Sequence, residues 1–181
     1  PEAHPAAWNR WRTAQVTQLV AEIQGMVRDV RPEAVLSAAV KTDPRGGLPH
    51  FQDAPSWARD GLVDALYLMN YTPGVEEFAA RNAQWTLLPK AKGVTIVPGL
   101  TIGDDPTRTP EASAESARRQ IQSAARAHGH FCLFAYSLLF DAAQPPSVRT
   151  ATQRDPVRAA RRQVIIPYIH WLAELARTQP R

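Results

Sequence analysis

Residues 53–72 read DAPSWARDGLVDALYLMNYT, and the unit they contain decides the fold. Asp53 is placed to cap a short helix, Asp53 to Asp60, with Pro55 in its first turn, where a missing N–H costs nothing. Gly61 ends that helix. A short apolar run follows at once, Val63 to Met69 (VDALYLM), and reads as a buried strand.

The same alternation extends in both directions. Upstream, Val16, Leu19, Val20, Ile23, Val27 and Val30 recur at three- and four-residue spacing, which predicts a helix over Thr13 to Val30. Pro32 closes it, and Ala34 to Val40 (AVLSAAV) reads as a strand. Downstream, Val75 to Leu88 suits a helix and Val94 to Leu100 (VTIVPGL) a strand, with Pro98 near its end. Ala112 to His128 is a helix with Ala117, Ile121, Ala124, Ala125 and His128 on one face. Gly129 caps it, and Phe131 to Tyr136 (FCLFAY) is the fourth strand. Gln144 to Arg154 reads as loop, and Val164 to Leu175 as a segment and helix interrupted at Pro167.

Short apolar strands alternating with helices require parallel pairing, because only a crossover returns the chain in the same direction. The class is therefore α/β. An open nucleotide-binding sheet should carry a glycine-rich turn after its first strand. Here that strand runs into Lys41-Thr42-Asp43-Pro44-Arg45-Gly46-Gly47, and the glycines do not open a helix at phosphate-loop spacing. A piece of a closed barrel is the better reading.

Composition narrows the function. A chain of 181 residues, 44% hydrophobic and 21% charged, can bury a core of its own and is ordinary for a globular domain. Sixteen prolines against nine glycines point to rigid loops. No stretch approaches the roughly 20 apolar residues of a membrane helix. The net charge of +4 suits arginines on solvated helix faces. The densest basic cluster, Arg154, Arg158, Arg161 and Arg162, lacks the interleaved aromatics that stack bases, so nucleic acid is not the expected partner. Cys132, the only cysteine, lies in an apolar run and reads as a core residue. The five histidines show no metal-ligand spacing, and no metal or cofactor is implied.

Longer words carry a resemblance. The runs WNRWRTAQVTQLV (8–20), RPEAVLSAAV (31–40) and QDAPSWARDGLVDALYLMNYT (52–72), then PGLTIG (98–103), RRQIQSAARAHG (118–129) and FAYSLL (134–139), occur in that order. Together they resemble the family-10-type glycosyl-hydrolase-like proteins of bacteria, over roughly residues 8–140. Three positions depart from that pattern: Ala54 stands for a tryptophan, Leu68 for a proline and Ala135 for a serine.

The resemblance implies the C-terminal portion of a (β/α)8 TIM-type barrel, about four parallel strands with outer helices. Residues 1–143 would form the half-barrel, and 144–181 a loop and closing helix of the same domain. It also implies an extracytoplasmic setting and a polysaccharide ligand, a cell-wall or exopolysaccharide glycan. In the family a paired Asp-Asp lies just before the WNRWR word, so the main catalytic acids are expected upstream of this chain. The full-length form would then be a glycoside hydrolase and this stretch alone inactive. A non-catalytic carbohydrate-binding or scaffold domain is the alternative. The remainder of the barrel, or a second copy, is the expected protein partner.

Barrel enzymes place working residues at the C-terminal ends of strands. That rule nominates Lys41 and Asp43 after the first strand, Asn70 and Tyr71 after the second, Asp104 and Asp105 after the third, and Tyr136 and Ser137 after the fourth. Hydrolysis needs two carboxyl groups flanking the bond. Asp43 is the catalytic candidate, against a turn role in Asp-Pro; Asp104-Asp105 reads as a turn or cap. Lys41, Asn70, Tyr71 and Tyr136 are the substrate-binding candidates, since amides and phenols bond sugar hydroxyls and aromatic faces stack on sugar rings. Asp64 lies at the start of its strand, on the bottom face, and is expected to be structural. Trp8 and Trp11 can form part of a cleft wall, whereas Trp57, Trp85 and Trp171 are expected to pack. His50, in a proline-flanked loop, is the one histidine worth testing.

Overall fold

In a computed structural model, residues 3–91, 93–102, 109–140 and 148–178 are described, except for the side chains of 136, 148–155, 176 and 178. Five helices and four strands are defined among them: α1 (Pro5–Val30), β1 (Ser37–Lys41), α2 (Ala54–Arg59), β2 (Ala65–Met69), α3 (Val75–Thr86), β3 (Thr95–Thr101), α4 (Pro110–His128), β4 (Cys132–Phe134) and α5 (Val148–Thr178). Short 3₁₀ turns at Leu48–His50 and Tyr136–Leu138 punctuate the connections.

The strands form one sheet in the order β1-β2-β3-β4, every pair parallel. Strand order thus equals chain order, which is the α/β arrangement of part of a (β/α)8 barrel.

Register fixes which side chains share a face. Val40 pairs with Leu68, Leu66 with Ile96 and Leu100 with Leu133. These residues point towards the helices. Val40, Leu66, Leu68 and Ile96 pack with Trp57 and Ala58 of α2 and Trp85 of α3, and Val16 and Val20 of α1 lie against them. Leu100 packs with Phe78 of α3 and Ala114, Ala117, Ile121 and Ala124 of α4, under α5 residues such as Ile165 and Ile169.

The other face carries the odd-numbered residues of β1 to β3 and the even-numbered residues of β4, and among the described residues no helix covers it. Its two aromatic strand residues are open, Tyr67 at 37% and Phe134 at 57% exposure, whereas Ala65 and Val97 are buried by their neighbours in the sheet. Parallel sheets are ordinarily buried on both faces. This one is covered on a single side.

The end of the sheet where the strands start is clamped. Asp64 accepts from Arg28 at the end of α1 (2.5 Å) and from the Leu36 main-chain N–H (2.7 Å). One carboxylate therefore joins α1, the approach to β1 and the entry to β2. The Arg28 hydrogen bond, with the Leu36 amide and the guanidinium charge, holds the Asp64 carboxyl below its usual range despite partial burial. The structural role expected for Asp64 follows from these contacts.

Several local expectations are corrected. Helix α1 starts at Pro5, not Thr13: the proline sits in the first turn, and alanines follow it. Helix α5 runs unbroken over Val148–Thr178, with Pro156 and Pro167 inside it, where a loop over 144–154 and a break at Pro167 are expected from sequence. Tertiary contacts overrule the prolines. Arg158, Arg161 and Arg162 donate to the carbonyls of Ser137, Leu138 and Leu139 at 3.1, 3.2 and 2.6 Å, and Arg118 of α4 lies over the Tyr168 ring. That basic cluster thus ties α5 to the segment after β4. Cys132 is half-buried on the open face rather than in the core, because its pairing with Gly99 gives it that parity. Trp57 and Trp85 are core residues, but Trp171 is 49% exposed and stacks on Tyr168.

Two outcomes are expected. Asp64→Asn should cost about 1–2 kcal/mol at pH 7, an amount discounted for partial exposure. A carboxyl with a depressed folded pKa contributes fully above its unfolded value, near 3.8, and the contribution disappears as pH falls through the folded value. The gap between wild type and variant in urea midpoint should therefore close below about pH 4; a gap independent of pH would refute the clamp. Separately, an open apolar face and free strand edges favour association, so sedimentation of residues 1–181 should show concentration-dependent self-association. A monodisperse monomer with cooperative unfolding would mean that the single-sided sheet is self-sufficient.

Candidate functional site

The C-terminal ends of the strands are shaped by a few main-chain contacts. After β1, the Thr42 carbonyl accepts from the indole Nε1 of buried Trp85 (2.5 Å), which fixes where the strand ends against α3. Asp43 then turns the chain: its Oδ1 accepts from the Arg45 N–H (2.9 Å) and its carbonyl from Gly46 N–H (2.9 Å). The loop folds back so that Gln52 Oε1 accepts from the Lys41 N–H (3.3 Å). Gly47 permits this closure, because a Cβ there would lie 2.5 Å from the Gln52 carbonyl oxygen.

After β2, consecutive residues part company. Asn70 is fully buried, and its Nδ2 donates to Phe78 O (3.0 Å) and Asn82 Oδ1 (2.9 Å) on α3. Tyr71 goes the opposite way and is 41% exposed. Thr72 turns in again, its hydroxyl donating to Glu77 and its carbonyl accepting from buried Gln120 Nε2 (2.7 Å). Asn70 is thus an anchor between β2 and α3, and it does not share the open face with Tyr71.

Tyr71 stacks on Phe134 at the end of β4, with ring centroids 5.4 Å apart and planes 20° off parallel. Gly99 of β3 makes room beneath: a Cβ there would lie 2.6 Å from Leu68 O and 3.9 Å from Tyr71 Cε1. Burial, then the nearby Cys132, pushes the Tyr71 phenol above its usual range. It therefore stays protonated at neutral pH and keeps its O–H as a donor. The two rings form an aromatic shelf on the open face, at the end of the sheet where barrel sites lie. Sequence reasoning named Tyr71 and missed Phe134, which reaches the shelf through the register of β4 on β3.

Lys41 is exposed on the same face, in register with Met69. Of the other candidates, Ser137 gives its carbonyl to Arg158, and His50 is exposed in the 3₁₀ turn before α2. Asp104, Asp105 and the Tyr136 side chain lie outside the described residues. Trp8 and Trp11 stack on each other (4.9 Å) near the start of α1, where the Arg12 guanidinium sits between Trp8 and Phe51 of the β1–α2 loop.

The carboxylates tell a consistent story. Among the described residues no strand side chain on the open face is acidic. Asp53 caps α2 through Ser56. Asp64, Glu77 and Glu115 are each held below the usual range, chiefly by hydrogen bonds from Arg28, Thr72 and Arg118 respectively. A glycosidase general acid needs the opposite shift, upward. No cluster among the described residues could hold a metal ion.

Against this geometry, the profile of a known family, glycosyl hydrolase-like 10, matches residues 1–118. The chain belongs to the glycosyl hydrolase-like 10 family. The match covers α1 to α3 and the first turns of α4, and thus three of the four strands and Tyr71 on its shelf. No curated protein matches the chain. For a glycosyl hydrolase-like 10 domain, a carbohydrate is the ligand class that the family suggests. Among the described residues no helix is long and apolar enough to cross a membrane.

The anchor and the shelf should respond differently to substitution. Asn70→Ala leaves buried acceptors unpaired and should cost about 2–3 kcal/mol. Tyr71→Ala removes an exposed stacking partner, worth about 1 kcal/mol or less. Denaturant unfolding of both variants checks the ranking, and a larger loss for Tyr71→Ala would contradict it.

Proposed function

We propose that this chain is the sugar-binding part of a glycoside-hydrolase-like barrel acting on a bacterial cell-wall or exopolysaccharide glycan outside the cytoplasm. The carrying observation is the Tyr71–Phe134 shelf on the open face at the strand ends. The apolar side of a pyranose ring lies flat on such a surface, and its equatorial hydroxyls meet hydrogen-bonding groups around it. Lys41, the Tyr71 hydroxyl and Tyr136 are the groups proposed to supply them.

Bond cleavage needs one carboxyl to protonate the leaving oxygen and another to attack or to activate water. Asp43 is the one candidate from the strand ends, and its carboxylate is engaged in its own turn. The principal acids are therefore proposed to come from polypeptide outside residues 1–181, with the remainder of a barrel completing the site. The lack of an acidic side chain on the open sheet face favours a second reading, a carbohydrate-binding domain without catalysis.

Residues 1–181 alone should bind oligosaccharides of cell-wall or exopolysaccharide type weakly and hydrolyse them negligibly. Titration followed by NMR should shift Tyr71 and Phe134, and Phe134→Ala should weaken binding about tenfold, as loss of a stacking ring does. Shifts confined to the opposite end of the sheet would refute the site. Turnover abolished by Asp43→Asn would refute the assignment of the chemistry elsewhere.

A further inference from the structure

We infer that the open face selects glycans bearing a carboxylate, held by Lys41 beside the aromatic shelf. This inference rests on the reading of the shelf as a sugar site and adds the substrate class. Among the strand side chains on that face, Lys41 alone carries a formal charge. Its neighbours there are small, apolar or aromatic: Ala39 on its own strand, Met69 across from it, then Tyr67 and the Tyr71–Phe134 pair. None of the ion pairs among the described residues uses it. The nearest acidic residue along the strand end, Asp43, directs its carboxylate back to the Arg45 N–H. Among the described residues Lys41 is thus in no ion pair, and its ammonium is available to whatever lies on the shelf.

Lys41 pairs with Met69, two residues before Tyr71, on a neighbouring strand about 4.8 Å away. Its long stem can carry the ammonium towards a substituent of a sugar stacked on the shelf. A neutral sugar gains only a hydrogen bond from this group. A uronic acid, or a sugar with a carboxyl ether side chain, gains a charge-assisted one.

Two matched pairs test the inference on residues 1–181 by calorimetry or NMR titration at low salt. One is the N-acetylglucosamine–N-acetylmuramic acid disaccharide against chitobiose, which lacks the lactyl carboxylate. The other is an α-1,4-galacturonate trimer against the galactose trimer. The acidic member of at least one pair should bind roughly three- to fivefold tighter, the strength of a partly exposed ion pair; which pair shows it tells the source of the carboxylate. Lys41→Met should bring that ratio to one, Lys41→Arg should keep it, and raised salt should shrink it. Lys90→Met, at the opposite end of the sheet before β3, should leave it unchanged. Equal affinities in both pairs, or a preference surviving Lys41→Met, would overturn the inference while leaving the sugar site standing. Failure of all four probes to bind would overturn both.

Discussion

The structure depends on one constraint: its crossovers lie on the same side of a parallel sheet. Alternate strand residues must then serve two different surroundings. Val40, Leu66, Leu68, Ile96 and Leu100 are buried beneath helices, while Tyr67 and Phe134, on strands of the same sheet, are open. The helix-facing set carries most of the core, and of the other set Ala65 and Val97 are buried while the aromatic rings stay open.

The two ends of the sheet divide the work in a similar way. Where the strands start, the Asp64–Arg28–Leu36 cluster joins helix and strands with charge-assisted bonds. Where they finish, the pinning is done from the helix side, by Trp85 on the Thr42 carbonyl, Asn70 on α3 and Gln120 on the Thr72 carbonyl. Those contacts leave the Lys41 and Tyr71 side chains uncommitted to the core. Buried amides and an indole hold the main chain, and the residues between them are available to a ligand.

Much of this was legible in the sequence. The four apolar runs lie within two or three residues of the observed strands, because each is bounded by strong punctuation such as Gly61 or Gly129. Asp53 and Pro55 announced α2 by cap chemistry alone. The candidate site was half legible. Position after a strand nominates Asn70 and Tyr71 equally, but adjacent residues face opposite sides, and only the register shows which side is covered. Phe134 was hidden for the same reason, since β4 has three residues and its parity rests on the pairing of Leu133 with Leu100. Helix α5 defied its prolines because contacts with α4 and with the carbonyls of 137–139 outweigh local propensity.

The central claim, that one sheet face is sealed by helices and the other is open, is tested most directly by hydroxyl-radical footprinting of dilute protein with residue-level mass spectrometry. Tyr67, Tyr71 and Phe134 should be modified readily, and Phe78, Trp57 and Trp85 should be protected. Protection of Tyr67 and Phe134 to the level of Phe78 and Trp85 would contradict the account.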